Sequence, residues 1–132
     1  MNKNLAVGQT YEMERIVTPE VSAAHYGNVG VDVFATPAMI GWLEEACHKC
    51  IMSALEEGQG TVGTQVNVRH LAATPVGMKV VSRAEVIEID RRRVVFKVEA
   101  HDEQEQIAKG THERFIIKSI EKFMAKTMAK GK

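Results

Sequence analysis

From Val62 onward, apolar and polar residues alternate in successive blocks, and this alternation is the main structural signal in the chain. Val62, Thr64, Val66 and Val68 share one face of a strand running to about Ala73, with Gly63, Gln65, Asn67 and Arg69 on the other. Thr74-Pro75 breaks it. Met78 to Ile89 forms the next strand, with Val80, Ala84 and Val86 opposite Val81, Ile87 and Ile89. Asp90-Arg91-Arg92 predicts a hairpin turn, after which Val94, Phe96, Val98 and Ala100 alternate with Val95, Lys97 and Glu99. A turn near Asp102-Glu103 leads into a last strand from about Ile107 to Lys118. Thr10 to Val17 adds a strand at the front, ended by Thr18-Pro19. Residues 20–35 hold Gly27, Asn28 and Gly30 and show no period, which predicts a loop or lid.

One segment reads as a long helix. Thr36 suits an N-cap and Pro37 suits the first helical position, where its missing N–H costs nothing. The segment runs to about Glu57, before Gly58 and Gly60. Its first half, Ala38, Met39, Ile40, Trp42, Leu43, Ala46 and Cys47, is apolar nearly all round, so another element must wrap it. Strands joined by short turns pair antiparallel. The order strand, helix, four strands predicts an α+β fold, one helix against an antiparallel sheet, in a single domain over residues 1–132. Such a sheet leaves one face uncovered, and a second copy is the expected cover.

Composition narrows the function classes. Lys plus Arg equals Asp plus Glu at 17 each, so no net field favours nucleic acid or an anionic membrane. No apolar run reaches the roughly 20 residues that span a bilayer. Met1 to Leu5 leads into no apolar secretory core. With only Cys47 and Cys50 there is no disulfide framework, and a reducing cytoplasm is expected.

Candidate chemistry sits on the helix and the strand after it. Helical spacing puts Glu44 on a stripe with Ile40, Cys47 and Ile51, whereas Glu45 falls on the flank with Lys49 as a solvated pair. A carboxylate on an apolar stripe needs a partner or a task, and burial there raises its pKa toward acid–base or nucleophilic work; a wet groove or a pairing arginine is the plainer reading. His70 extends the row of Val62, Thr64, Val66 and Val68, so its ring points under the sheet toward the helix and can form an acid–base pair with Glu44. Taken alone it is an ordinary core or edge histidine. Thr36 places a hydroxyl among free N–H groups at the helix start, which favours developing negative charge, although a plain cap explains it equally.

Other motifs carry less. Cys47-His48-Lys49-Cys50 lies mid-helix with no second ligand pair, and core packing explains it, so no metal site is expected. Arg91-Arg92-Arg93 reads as solvated charge at a hairpin tip. Lys118, Lys122, Lys126 and Lys130, with Ile120, Phe123 and Met124 between them, predict a short amphipathic helix or a frayed tail.

Six stretches taken together resemble a known group. They are Val33-Phe34-Ala35-Thr36, Glu44-Glu45-Ala46-Cys47, Gly63-Thr64, Val68 to Pro75, Gly110-Thr111-His112-Glu113-Arg114, and Glu121-Lys122-Phe123. In this order, from about Val7 to Phe123, the chain resembles the fluoroacetyl-CoA thioesterase-like branch of the hotdog superfamily. The resemblance implies an antiparallel sheet wrapped around one long helix, two subunits side by side, and a pantetheine channel near their interface. It implies a catalytic Thr, Glu and His at Thr36, Glu44 and His70, an oxyanion N–H at Gly63, and an orienting arginine at Arg114, for which an ion pair with Glu113 is the plainer role. The segment from Glu20 to Asp32 is shorter than in the fluoroacetyl-specific enzyme and lacks the phenylalanines of its lid, so fluoroacyl selectivity does not carry over.

The expected activity is therefore hydrolysis of a small acyl-CoA to a carboxylic acid and CoA. No cofactor is expected beyond the CoA of the substrate, and the partner is a second copy, as a dimer or a tetramer. Attack by Glu44 itself and attack by a water it activates remain equally open, as does a carrier-protein thioester in place of CoA. A non-catalytic acyl-CoA-binding protein and an enoyl-CoA hydratase are the competing readings.

Overall fold

In the computed structural model, which describes residues 5–131, five strands form one antiparallel sheet and a long helix lies across one face. The first four residues, read above for a secretory signal, lie outside the described part. The strands are β1 (Thr10–Ile16), β2 (Gly60–His70), β3 (Lys79–Asp90), β4 (Arg93–His101) and β5 (Gln106–Ile117). They are ordered β1-β3-β4-β5-β2, so β1 and β2 are the edges. The helix α1 spans Thr36–Met52, and a second helix, α2, spans Ile120–Met128. Strand bounds fall within a few residues of those read from the alternation, and the amphipathic terminal helix is present.

Burial explains the arrangement. From α1, Met39, Leu43, Ala46, Cys47, Cys50 and Ile51 are buried against Val80, Ala84 and Val86 of β3, Val94, Phe96, Val98 and Ala100 of β4, and Ile116 of β5. Each large apolar side chain removed from water in this way stabilises the fold by about 1.5–3 kcal/mol before conformational entropy is counted. The flank of α1 is fixed to β1: Arg15 donates to both Glu45 oxygens at 2.8 and 2.6 Å, and Lys49 meets the same carboxylate at 2.9 Å. The bond from Arg15, more than anything else, holds the Glu45 carboxyl down at about 2.

Three details differ from the sequence reading. The N-cap of α1 is Ala35, which makes no side-chain capping bond, and Thr36 is the first helical residue. The helix ends at Met52, because Ala54 and Leu55 bond back to Ile51 and Met52 in tight turns before Gly58 takes a φ of 83°. Register shifts also interrupt the ladders in three places, at Gly63/Gln65 in β2, at Val86/Glu88 in β3 and at Ala100/His101 where β4 meets β5. Cross-strand partners share a face, so each shift reverses the parity of the residues beyond it. Thr61 pairs with Ile116 and Gly63 with Arg114, whereas Val66 pairs with buried His112 and His70 with buried Ala108. The helix-facing row of β2 is therefore Thr61, Gly63, Val66, Val68 and His70; Val62 and Thr64 belong to the outer face. In β3, Ile89 likewise joins the core side, opposite Val94.

Among the described residues, no helix is long and apolar enough to cross a membrane.

Candidate active site

The candidate residues fall into two groups on the helix side of the sheet. The first joins the start of α1 to the end of β2: Thr36 Oγ1 and His70 Nδ1 are 2.7 Å apart. His70 Nε2 is buried without a hydrogen-bond partner, which is uncommon for a buried ring nitrogen. Burial pushes the His70 pKa down; the Ala72 backbone offsets this only in part, without meeting hydrogen-bond geometry at Nε2. The ring is accordingly neutral at neutral pH. Beside the pair opens a pocket of about 470 Å³, lined by Thr36 and His70 and by the mainly small side chains of Ala23, Val31, Ala72 and Ala73. Its outer wall comes from the aperiodic segment before α1, which is tied in place by Ala23 N–H to Val33 O and by Phe34 N–H to Thr74 O, both at 2.8 Å. The helix start also faces this pocket. With Pro37 lacking an N–H, the groups of the first turn without an intrahelical acceptor are those of Thr36 and Ala38.

The second group surrounds Glu44. Arg114 donates from Nη1 to Glu44 Oε2 at 3.4 Å and to His112 Nε2 at 3.1 Å, and also donates to the Thr61 hydroxyl at 2.9 Å and the Thr61 carbonyl at 3.2 Å. His112 donates from Nδ1 to the Gln65 carbonyl at 2.8 Å, so its Nε2 is the acceptor and the ring is neutral, in keeping with a pKa lowered chiefly by burial. Thr61 accepts from Arg114, which leaves its own proton for His48 Nδ1 at 2.6 Å. Burial also lowers the Arg114 pKa, against the pull of Glu44, yet a guanidinium stays charged. Gly63 completes the group: a Cβ built there would lie 2.9 Å from Glu44 Oε2 and 3.1 Å from His112 Cε1. Only a residue without a side chain admits the carboxylate so close to the strand.

Glu44 is not buried in apolar surroundings as its stripe suggested. Its side chain is 38% exposed and answers to Arg114, which is 9% exposed. Arg114 does not pair with Glu113, which lies on the outer face with Arg93 and Thr64. His70 and Glu44 are not partners within one chain either. Eight residues separate Thr36 from Glu44, about 12 Å of helix, and seven separate Gly63 from His70, about 23 Å of strand. The sequence reading assigns no site role to Thr61 or His112, and meets His48 only within the Cys47-His48-Lys49-Cys50 motif. The alternation of His112, Arg114 and Ile116 in β5 marks that row as inward, where a buried guanidinium needs acceptors that lie far off in the chain. Cys47 and Cys50 are buried free thiols with pKa values raised by burial, which fits packing.

Comparison with known proteins gives a consistent result. The family described as FlK, fluoroacetyl-CoA-specific thioesterase, matches residues 17–120. The fluoroacetyl-CoA thioesterase of Streptantibioticus cattleyicolor is 37% identical over 98% of this chain and 97% of its own length. A solved structure of the fluoroacetyl-CoA thioesterase FlK superposes with a TM-score of 0.91 at 36% identity, over 97% of this chain and 98% of that one. A variant of the same enzyme in complex with fluoroacetate and CoA gives 0.86 at 37% identity, over 90% of this chain and 99% of that one.

Proposed function

Because the chain belongs to the family of fluoroacetyl-CoA-specific thioesterases, we propose that it hydrolyses a small acyl-CoA thioester with Thr36, Glu44 and His70 as its reacting groups. It is a hotdog-fold thioester hydrolase. The observation that carries the assignment of residues is the pairing of a neutral, half-satisfied His70 with Thr36 at the wall of a pocket, on the same face as a carboxylate aimed past Gly63.

The acyl group lies in the pocket, whose small aliphatic walls include one phenyl ring, that of Phe34. Gly63 N–H, at a point where the ladder is interrupted, and the first turn of α1 receive the oxygen as it turns anionic. Glu44 attacks the carbonyl carbon, breaking the C–S bond and leaving an anhydride that water then hydrolyses to the acid and free Glu44, or it draws the proton from a water that attacks directly; both routes expel CoA thiolate. His70, neutral and paired to Thr36, carries the proton that ends on the leaving sulfur. Arg114 holds the Glu44 carboxylate in its direction, and His112 keeps Arg114 in place. The only coenzyme required is the CoA of the substrate, and the setting is cytoplasmic.

A complete site takes two copies. β2 is an edge whose exposed residues include Val66, 40% accessible, halfway between Gly63 and His70. Antiparallel pairing of β2 with β2 of a second copy about this midpoint brings Glu44 and Gly63 of one protomer toward Thr36 and His70 of the partner subunit. Mixing the inactive variants Glu44→Ala and His70→Ala tests both the residues and their division. Random exchange gives hetero-dimers with one intact site in half the molecules, so about a quarter of wild-type thiol release returns. If the mixture stays inactive while light scattering shows dimers, the site lies within one chain. If either single variant retains full activity, the assignment of that residue fails.

A further inference from the structure

The outer face of the sheet, remote from Thr36 and Glu44, carries a second concavity with unusual charge. A pocket of about 350 Å³ opens there over β2, β4 and β5, lined by Asn67, Arg69, Lys97, Lys109 and Thr111. The register accounts for the cluster: Asn67, Thr111 and Lys97 form one cross-strand row, and Arg69, Lys109 and Glu99 the next. All three cations are exposed, and among the described residues none makes an ion pair or side-chain hydrogen bond.

Their isolation has a visible cause. The carboxylates that stand beside them in register, Glu85 next to Lys97 and Glu99 next to Lys109, are both drawn to Arg83, at 3.2 and 3.7 Å. Glu113, farther along β5, is held by Arg93 and by Thr64, which donates to it at 2.7 Å. Every neighbouring acid is thus committed, and the side chains of three cations, an amide and a hydroxyl line one hollow. A chain of zero formal charge has no general reason to leave such a group uncompensated. Exposed ammonium and guanidinium donors around a concavity walled by their own aliphatic stems suit the oxygens of a phosphate or pyrophosphate group. The hollow is too small and too local for a nucleic-acid track.

We propose that this pocket is a binding site for phosphate groups of the pyrophosphate or nucleotide type, with Arg69, Lys97 and Lys109 as the charged contacts and Asn67 and Thr111 as neutral ones. Phosphate binding there is independent of the thioesterase assignment; an occupant from the nucleotide end of a CoA substrate rests on that assignment, and a separate nucleotide does not.

Calorimetric titration with inorganic pyrophosphate tests it directly, without reference to turnover. Wild type binds, and the combined Lys97→Glu and Lys109→Glu variant loses at least roughly tenfold in affinity. The Lys97→Gln and Lys109→Gln pair weakens binding in the same direction without adding like charge, and circular dichroism checks the fold of both. A variant with the same change of net charge on α2, Lys122→Glu with Lys126→Glu, binds as wild type does. Absence of binding to wild type overturns the proposal, and so does equal weakening by the α2 variant, which reduces the effect to diffuse charge. The source is read from kinetics. A KM raised for acyl-CoA but unchanged for acyl-pantetheine assigns the site to the substrate's nucleotide. If both KM values are unchanged while pyrophosphate binding is lost, the occupant is a separate nucleotide.

Discussion

The two ends of the proposed site are built on opposite principles. Around Glu44 nearly every polar atom is engaged: Arg114 reaches the carboxylate, His112 and Thr61, and His112 and Thr61 are themselves anchored to Gln65 and His48. Around His70 a ring nitrogen stands without a partner, and no side chain caps the N–H groups of the first helical turn. The clamped end fixes the direction of a charge. The open end keeps unspent hydrogen-bonding capacity for atoms that arrive with the substrate. An interior that satisfied both ends equally would be more stable and have nothing left to offer a thioester.

Substitutions separate the two ends, and the largest effect belongs at the clamped one. Glu44→Gln keeps the shape and removes the charge; thiol release is expected to fall by about 10³-fold or more, with a thermal midpoint near wild type. A loss of less than tenfold breaks the contrast, since the clamp would then be holding a spectator. Gly63→Ala comes next. The added methyl displaces the flexible end of Glu44 more readily than the backbone, so kcat drops by roughly 10²-fold while the folded fraction is kept. Arg114→Lys retains charge and loses the fork that spans Glu44, His112 and Thr61, for about a tenfold loss in kcat with a smaller change in KM.

The open end is expected to show itself in pH dependence. Burial lowers the pKa of His70, and of His48 and His112 with it. Activity should therefore stay level as pH falls through 6.5 and decline only below it, as the His70 imidazole is protonated. Stability follows the same sign: the native state favours neutral rings, so their contribution is complete above about 6.5, the unfolded value, and erodes as pH falls. A kcat/KM profile with its acid limb above 6.5 would contradict a buried, neutral His70.

Much of the fold could be read from alternation, because strands and helices differ in period whatever their neighbours do. The errors were local and share a cause. In β2 and β3 a bulge adds one residue, and a period-two pattern carries no mark of it: Thr64 and Ile87 look like any other members of their rows. His70 falls on the expected face because Val66 and Val68, the members of its row beyond the bulge, share that face, whereas Val62 and Thr64 do not. Gly63, on the seemingly polar side, was recognised through resemblance rather than pattern. The partnership of Arg114 with Glu44 was out of reach in the same way, since it joins residues 70 apart in the chain. Adjacent Glu113 offered a nearer partner on paper, yet neighbours on a strand point to opposite faces.

The bare start of α1 has a consequence for anyone who would make this protein sturdier. Helices usually begin on Ser, Thr, Asp or Asn, and Ala35 forgoes a cap bond that contributes about 1 kcal/mol. Ala35→Ser is thus an obvious stabilising substitution by consensus of helix termini. Its hydroxyl would, however, accept the Ala38 N–H, one of the donors left free beside the pocket. The expected outcome is a melting temperature raised by a few degrees and a slower enzyme, so heat resistance and turnover compete at this residue for a single amide proton.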